Sequence, residues 1–244
     1  YTVKKSREGD RLDRSKDDNR DAFTIGDLLR TGKFTETRLL HGQYAELRQY
    51  VTLHERLGRD LRRHKTLIRN IAGQLFPELG RVFKDITGQT VLAMLRHHAV
   101  AGLIHEMSLD EFIVEVRADF SGKRLQIAKL RHAHRLAAIS VGLKDGVQAL
   151  QLALRLHIEA LEALQRQLAQ VRCALVDTLL ALPEARYLLS VPDLGLITAA
   201  IILSEIGNPS HYTNGRQLIK LAGTQPVPNT SGRKTRSQTP MSHQ

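Results

Sequence analysis

The chain has 244 residues, with 36 Lys and Arg against 25 Asp and Glu, for a formal charge of +11; that balance favours nucleic acid, an anionic surface or another acidic partner. No apolar run approaches the ~18–20 residues of a spanning helix, and the N-terminus has no signal-peptide pattern, so no membrane role is expected. A single cysteine, Cys173, excludes an intramolecular disulfide framework and any cysteine-based zinc cluster, and fits a reducing cytoplasm.

Aromatic residues make up only 5% and tryptophan is absent, so one large or two modest domains of helices packed through Leu, Ile, Val and Ala are expected. The segment from Lys4 to Asp21 is dense in charge and reads as a loop. A helix is predicted to start between Asp18 and Asp21, burying Ala22, Ile25, Leu28 and Leu29, which recur at helical spacing. Asp18 and Asp21 then share one side of the first turn. Two readings are open for them: N-terminal caps that compensate the helix dipole, or paired ligands for Mg²⁺, a hard ion that takes oxygen donors.

From Tyr44 to Leu75 a second helix is predicted, with Leu47, Val51, Leu57, Leu61, Ile68, Ile71 and Leu75 on one stripe. Arg56, Arg59, Arg62, Arg63, Lys65 and Arg69 fill the other positions, as a solvated face or as contacts to a nucleic-acid backbone. Pro77 and Gly80 end that helix. Residues Asp85 to Asp119 are less regularly helical, with Ser108 as a cap before Asp110 and Glu111. His97, His98 and His105 have no acid or cysteine ligands at a recognisable spacing and are read as surface or satisfied core residues. His132 and His134 are two apart, hence on different faces, and neither is assigned to metal.

Val147, Leu150, Leu154, Leu161, Leu164, Leu168, Val171, Leu175 and Leu182 keep alternating three- and four-residue steps, broken at His157 and Thr178. Such a heptad pattern favours a coiled coil or long helical hairpin. A buried intrachain helix is the alternative, because Leu152, Leu156 and Leu179 widen the apolar stripe.

Leu188 to Ala200 reads as a helix end, a turn at Pro192 and Gly195, and a new helix from Leu196 through Leu203. Gly195 is expected to give the turn its backbone freedom, positive φ included. The new helix opens with unpaired N–H groups that favour an anion; an ordinary helical hairpin is equally compatible. Asn208 to Gly215 is turn-rich, Arg216 to Ala222 forms a short helix, and Gly223 closes it. No acidic residue follows Glu205, and the tail Ser231-Gly232-Arg233-Lys234-Thr235-Arg236 places a hydroxyl beside three cations. Ser231 has no local base to activate it, so on composition it is an ordinary loop serine.

The run from Leu188 to Gly207, with Arg216-Gln217-Leu218, Leu221-Ala222-Gly223, Pro228 and Ser231 to Arg236, resembles the C-terminal domain of the Piv-like DEDD transposases of bacterial insertion sequences, the insertion-sequence one-ten family. Lys16 to Ala22, with Tyr44-Ala45-Glu46-Leu47-Arg48, resembles the end of that family's RuvC-like nuclease domain. The resemblance implies four carboxylates binding divalent metal on an RNase H-like fold, the last two an Asp-x-x-Asp pair matched by Asp18 and Asp21, with Mg²⁺ as cofactor. It implies a serine nucleophile matched by Ser231. DNA contacts are expected at Gly195 and Thr198 in the hairpin, Arg216 and Lys220 on the short helix, and Arg233, Lys234 and Arg236 in the tail. Several members use a guide RNA, and the coiled coil mediates homo-oligomer assembly.

The first Asp and the Glu of the set would precede Tyr1, so the chain is expected to be a fragment truncated at both ends, inactive alone. Asp193, where many helix-hairpin-helix turns have glycine, puts a carboxylate near the proposed phosphate site. The expected fold is mainly α: a remnant of a RuvC-like domain at 1–40, a helical and coiled-coil region at 41–185, and a helix-hairpin-helix-like transposase domain at 186–244. The expected function is DNA transposition and recombination; the alternative is a non-catalytic nucleic-acid-binding or coiled-coil oligomerisation protein.

Overall fold

The computed structural model describes the backbone at residues 18–32, 39–224, 230–231 and 234–235, with side chains at 21–32 and 39–224. Helices dominate, in this order: α1 Asp18–Arg30, α2 Gly42–Leu75, α3 Leu79–Val82, α4 Gln89–His97, α5 Ala101–Glu106, α6 Leu109–Ala118, α7 Ile127–Ala137, α8 Val147–Leu180, α9 Ala185–Leu189, α10 Leu196–Ile206 and α11 Gly215–Leu221. A 3-10 turn spans Pro209–His211. Beyond the helices, β1 (Thr230–Ser231) and β2 (Lys234–Thr235) pair antiparallel, Thr230 opposite Thr235 and Ser231 opposite Lys234.

Two compact units emerge: residues 49–181, and residues 1–48 with 182–244. The unit at 49–181 owns the deep core. Ile68, Ile71, Leu75 and Phe76 from the end of α2 meet the almost wholly buried α4, Phe112 of α6, Leu130 of α7, and Leu154, Ile158 and Leu161 of α8. The heptad face of α8 is therefore used within the chain in its first half, the alternative reading of that pattern, while Leu152 and Leu156 stay exposed. The polar break at His157 meets His64, ring centroids 5.2 Å apart. Burial, His64 and Arg63 together lower the His157 pKa.

A strap after α7 closes this unit. The Glu78 carboxylate accepts from the Ser140 hydroxyl (2.5 Å) and the Val141 N–H (3.1 Å), and Leu143 N–H donates to the Gln74 carbonyl. Gly142 lies so close to the Leu75 carbonyl that no side chain fits there.

His97 and His98 fit their reading as surface or satisfied core residues. Acid partners exist, far off in sequence: His97 Nε2 lies 2.7 Å from Asp119 and His98 Nε2 2.9 Å from Glu115. His98 also stacks edge-on against Phe112. Folding supplies the satisfaction that local spacing could not reveal. Ser108 caps α6 as expected, accepting from Glu111 N–H.

In the other unit, α1 does begin at Asp18, but its apolar stripe is not buried as expected. Only Leu28 is covered, while Ala22, Ile25 and Leu29 are exposed among the described residues. Periodicity defines an apolar face without naming what covers it. Helix α10 buries Ala199, Ala200, Leu203 and Ser204.

Candidate functional site

The hairpin between α9 and α10 is tight. Leu194 N–H donates to the Val191 carbonyl (3.3 Å), with Pro192 next in the turn and Asp193 at φ 64°. Proline at the second position and positive φ at the third fit a type II turn. Here the expectation about glycine is overturned: Gly195 has φ −77° and ψ 162°, ordinary extended geometry, and Asp193 takes the left-handed conformation. A short polar side chain tolerates that region better than most. Gly195 is the N-cap of α10 and offers no side-chain acceptor.

Gly195 and Thr198 are exposed, as are Arg216 and Lys220. The last two sit four apart on α11, hence on one face of a helix that Asn214 caps by accepting from Gln217 N–H. The side chains of Ser231 and Lys234, and Arg233 and Arg236 altogether, lie outside the described residues. The backbone of Ser231 lies in the β1–β2 ladder, opposite Lys234.

Several polar contacts of this unit join residues far apart in sequence. Arg48, at the start of α2, pairs with Glu205 of α10 at 2.6 Å and donates to the Ser204 carbonyl at 3.1 Å. Burial, with a hydrogen bond to Glu184 and its charge, pushes the Tyr44 pKa up to about 12. Tyr212 hydroxyl donates to the Ile206 carbonyl at 2.9 Å, and Gly207 ends α10 at φ 70°. Arg48 is 156 residues from Ser204, a separation that no periodicity argument spans.

Residues 1–77 match a DEDD transposase family of the IS110 type, and residues 185–244 match the family described as transposase IS116/IS110/IS902. The chain belongs to the IS110 family of transposases. No curated protein matches it. Family membership implies DNA transposition, and hence DNA as a partner.

The DEDD family implies a metal-dependent nuclease. Asp18 and Asp21 fit in donor type and in position, carboxylates three apart on the first turn of α1. Asp21 is half-buried, and the side chain of Asp18 lies outside the described residues. Among the described residues no group of three or more His, Cys, Asp or Glu converges to hold an ion. The pair suits a divalent cation as part of a larger ligand set.

On α2, Arg56, Arg59, Arg62, Arg63 and Arg69 are exposed. Arg69 approaches Asp85 at 3.8 Å, and among the described residues the other four have no carboxylate within 4.0 Å. No described helix is long and apolar enough to cross a membrane.

Proposed function

We propose that the chain carries the serine-bearing part of an insertion-sequence transposase, with Ser231 as nucleophile on DNA and Asp18 and Asp21 as two of the carboxylates that hold Mg²⁺. One observation carries this reading. Residues 1–48 and 182–244, far apart in sequence, group in one unit, and Arg48 ties the start of α2 to α10.

In the proposed step Ser231 Oγ attacks a phosphodiester. An Oγ–P bond forms, one ester P–O bond breaks, the departing oxygen becomes a hydroxyl, and the serine proton passes to solvent. A hydroxyl attacking the phosphoserine ester then reverses these bond changes and restores the serine. Bound Mg²⁺ would acidify a hydroxyl and offset charge on the five-coordinate phosphorus. The protein's own part is to orient and neutralise. Exposed Gly195 and Thr198 would approach the backbone, while Arg216, Lys220, Arg233, Lys234 and Arg236 would pair with phosphates.

In this reading 1–40 closes a RuvC-like nuclease domain, 41–185 is the helical spacer, and 186–244 is the helix-hairpin-helix-like transposase domain. The exposed Leu152 and Leu156 of α8 favour self-association, and the arginine face of α2 would suit a guide RNA as well as DNA. A bacterial cytoplasm suits such a protein.

The test is covalent capture of end-labelled DNA by the product of the whole open reading frame, in Mg²⁺. A Ser231-dependent adduct that disappears with EDTA and with Asp21→Asn is expected. Equal capture by Ser231→Ala would remove the serine mechanism. Binding should weaken linearly with the logarithm of salt concentration; a flat response would favour the non-catalytic oligomerisation reading.

A further inference from the structure

Between α4 and α8, inside the unit at 49–181, lies an open cavity of about 250 Å³ lined by Leu95, Arg96, His97, Ala99, Gln148, Gln151 and Arg155. Every charged or titratable side chain on this lining is basic. We propose that the cavity binds a phosphate group of a nucleic-acid backbone, a contact separate from the hairpin and the tail.

The lining supports this in three ways. Arg155 is exposed at the rim and has no carboxylate within 4.0 Å among the described residues, so its charge is available to a ligand. Arg96 is fastened from one side only: its Nη2 donates to Glu162 at 2.6 Å, while its buried Nε has no acceptor. A buried unsatisfied donor costs about 1–3 kcal/mol, and a turn of the Arg96 side chain that brings Nε to the cavity would let an anion oxygen relieve that cost. Gln148 and Gln151 add neutral donors one turn apart on α8. Guanidinium and amide donors around a small polar space match phosphate, with Arg suited to paired hydrogen bonds to its oxygens.

Electrostatics of the backbone leave the decision to the side chains. Helix α4 ends beside the cavity and α8 begins beside it, so their opposed dipole ends offset. Of the acids nearby, Glu162 is engaged by Arg96 and Asp119 by His97. The volume falls below the ~300–1,000 Å³ of typical small-molecule sites. A phosphate with part of its sugar fits the space better than a whole nucleotide.

This inference rests on the chain binding DNA, as proposed above, and the experiment separates the two. Fluorescence anisotropy with a labelled duplex, over a range of salt, compares the full chain with Arg155→Gln, and with Arg131→Gln as a control that removes an exposed charge outside the cavity. Arg155→Gln should weaken binding about 3- to 10-fold more than Arg131→Gln and reduce the salt slope by about one. Equal effects of the two variants, with wild-type binding intact, would overturn the cavity assignment alone. Absence of duplex binding by the wild type would overturn both readings. Titration with inorganic phosphate distinguishes the sources: saturable binding lost in Arg155→Gln and competed by duplex supports a backbone phosphate. Phosphate binding that duplex fails to displace assigns the cavity to the free ion and overturns the nucleic-acid assignment.

Discussion

The two units of this transposase are held by different physics. Residues 49–181 bury a continuous core from Ile68 to Leu161, with six successive residues of α4, Thr90 to Leu95, out of solvent. In the unit of 1–48 with 182–244, α10 covers four residues, α11 covers none, and polar contacts at Arg48, Tyr44 and Tyr212 do much of the fastening. The family matches, 1–77 and 185–244, cover most of the thinly packed unit, and the first also takes in residues 49–77 of the core unit. Segments that handle a ligand draw on low local stability, so the chemistry proposed here would sit where the fold is easiest to rearrange.

The sharpest way to break this comparison is a cavity mutation in the middle. Phe112 is wholly buried, with His98 edge-on at 5.6 Å and His134 at 5.8 Å. Phe112→Ala should cost about 3–5 kcal/mol in denaturant unfolding. Loss of cooperative unfolding in the ends at the same denaturant concentration would mean that the units do not differ as argued. Gly142→Ala should cost about 1–3 kcal/mol, because its Cβ would drive the strap off the Leu75 carbonyl.

Acid should act on the same strap. Burial pushes the Glu78 carboxyl up, but hydrogen bonds from Ser140 and Val141, with the Arg81 charge, hold it below its ordinary value of 4.5. A depressed carboxylate contributes stability above the unfolded pKa and loses it as pH falls through the folded one. Urea titrations from neutral pH downward should therefore show stability falling below about pH 4.5, and Glu78→Gln should flatten that fall. An unchanged acid profile in the variant would place the titration elsewhere.

Helices were largely legible because their signals are local. The apolar stripe of α2, the Ser108 cap, the break at Pro77 and the start of α10 at Leu196 all depend on neighbours within a turn or two. What covers an apolar face is not local, which is why α1 came out exposed and half of the α8 heptad face turned inward. The same limit applies to the polar contacts. Residue type offered no hint that Arg48 would find Glu205, or that Arg96 and Arg155 would line one cavity. Spacing left Asp18 and Asp21 open between caps and metal ligands and made Ser231 an ordinary loop serine, and only the likeness to a family pattern singled them out.

Smaller effects test the ends. Arg48 and Glu205 are largely solvated, so the pair itself is worth under about 1 kcal/mol. Arg48→Gln should barely move global unfolding while accelerating amide exchange in the last turn of α10, whose Ser204 carbonyl loses its side-chain donor. Protection unchanged there would remove Arg48 as a fastening of this unit.

The smallest expected change is at Asp193, and it separates strain from charge. With φ at 64°, Asp193 pays a conformational penalty that glycine avoids, although glycine is more costly to order from the unfolded chain. Asp193→Gly should therefore gain less than about 1 kcal/mol. Asp193→Asn keeps a side chain that tolerates the left-handed region and removes only the carboxylate. If the turn faces a phosphate backbone, both variants should bind duplex DNA more tightly and to a similar extent, whatever their stabilities. Tighter binding by the glycine variant alone would trace the effect to turn geometry, and no change in either would move DNA away from this hairpin toward α11 and the basic tail.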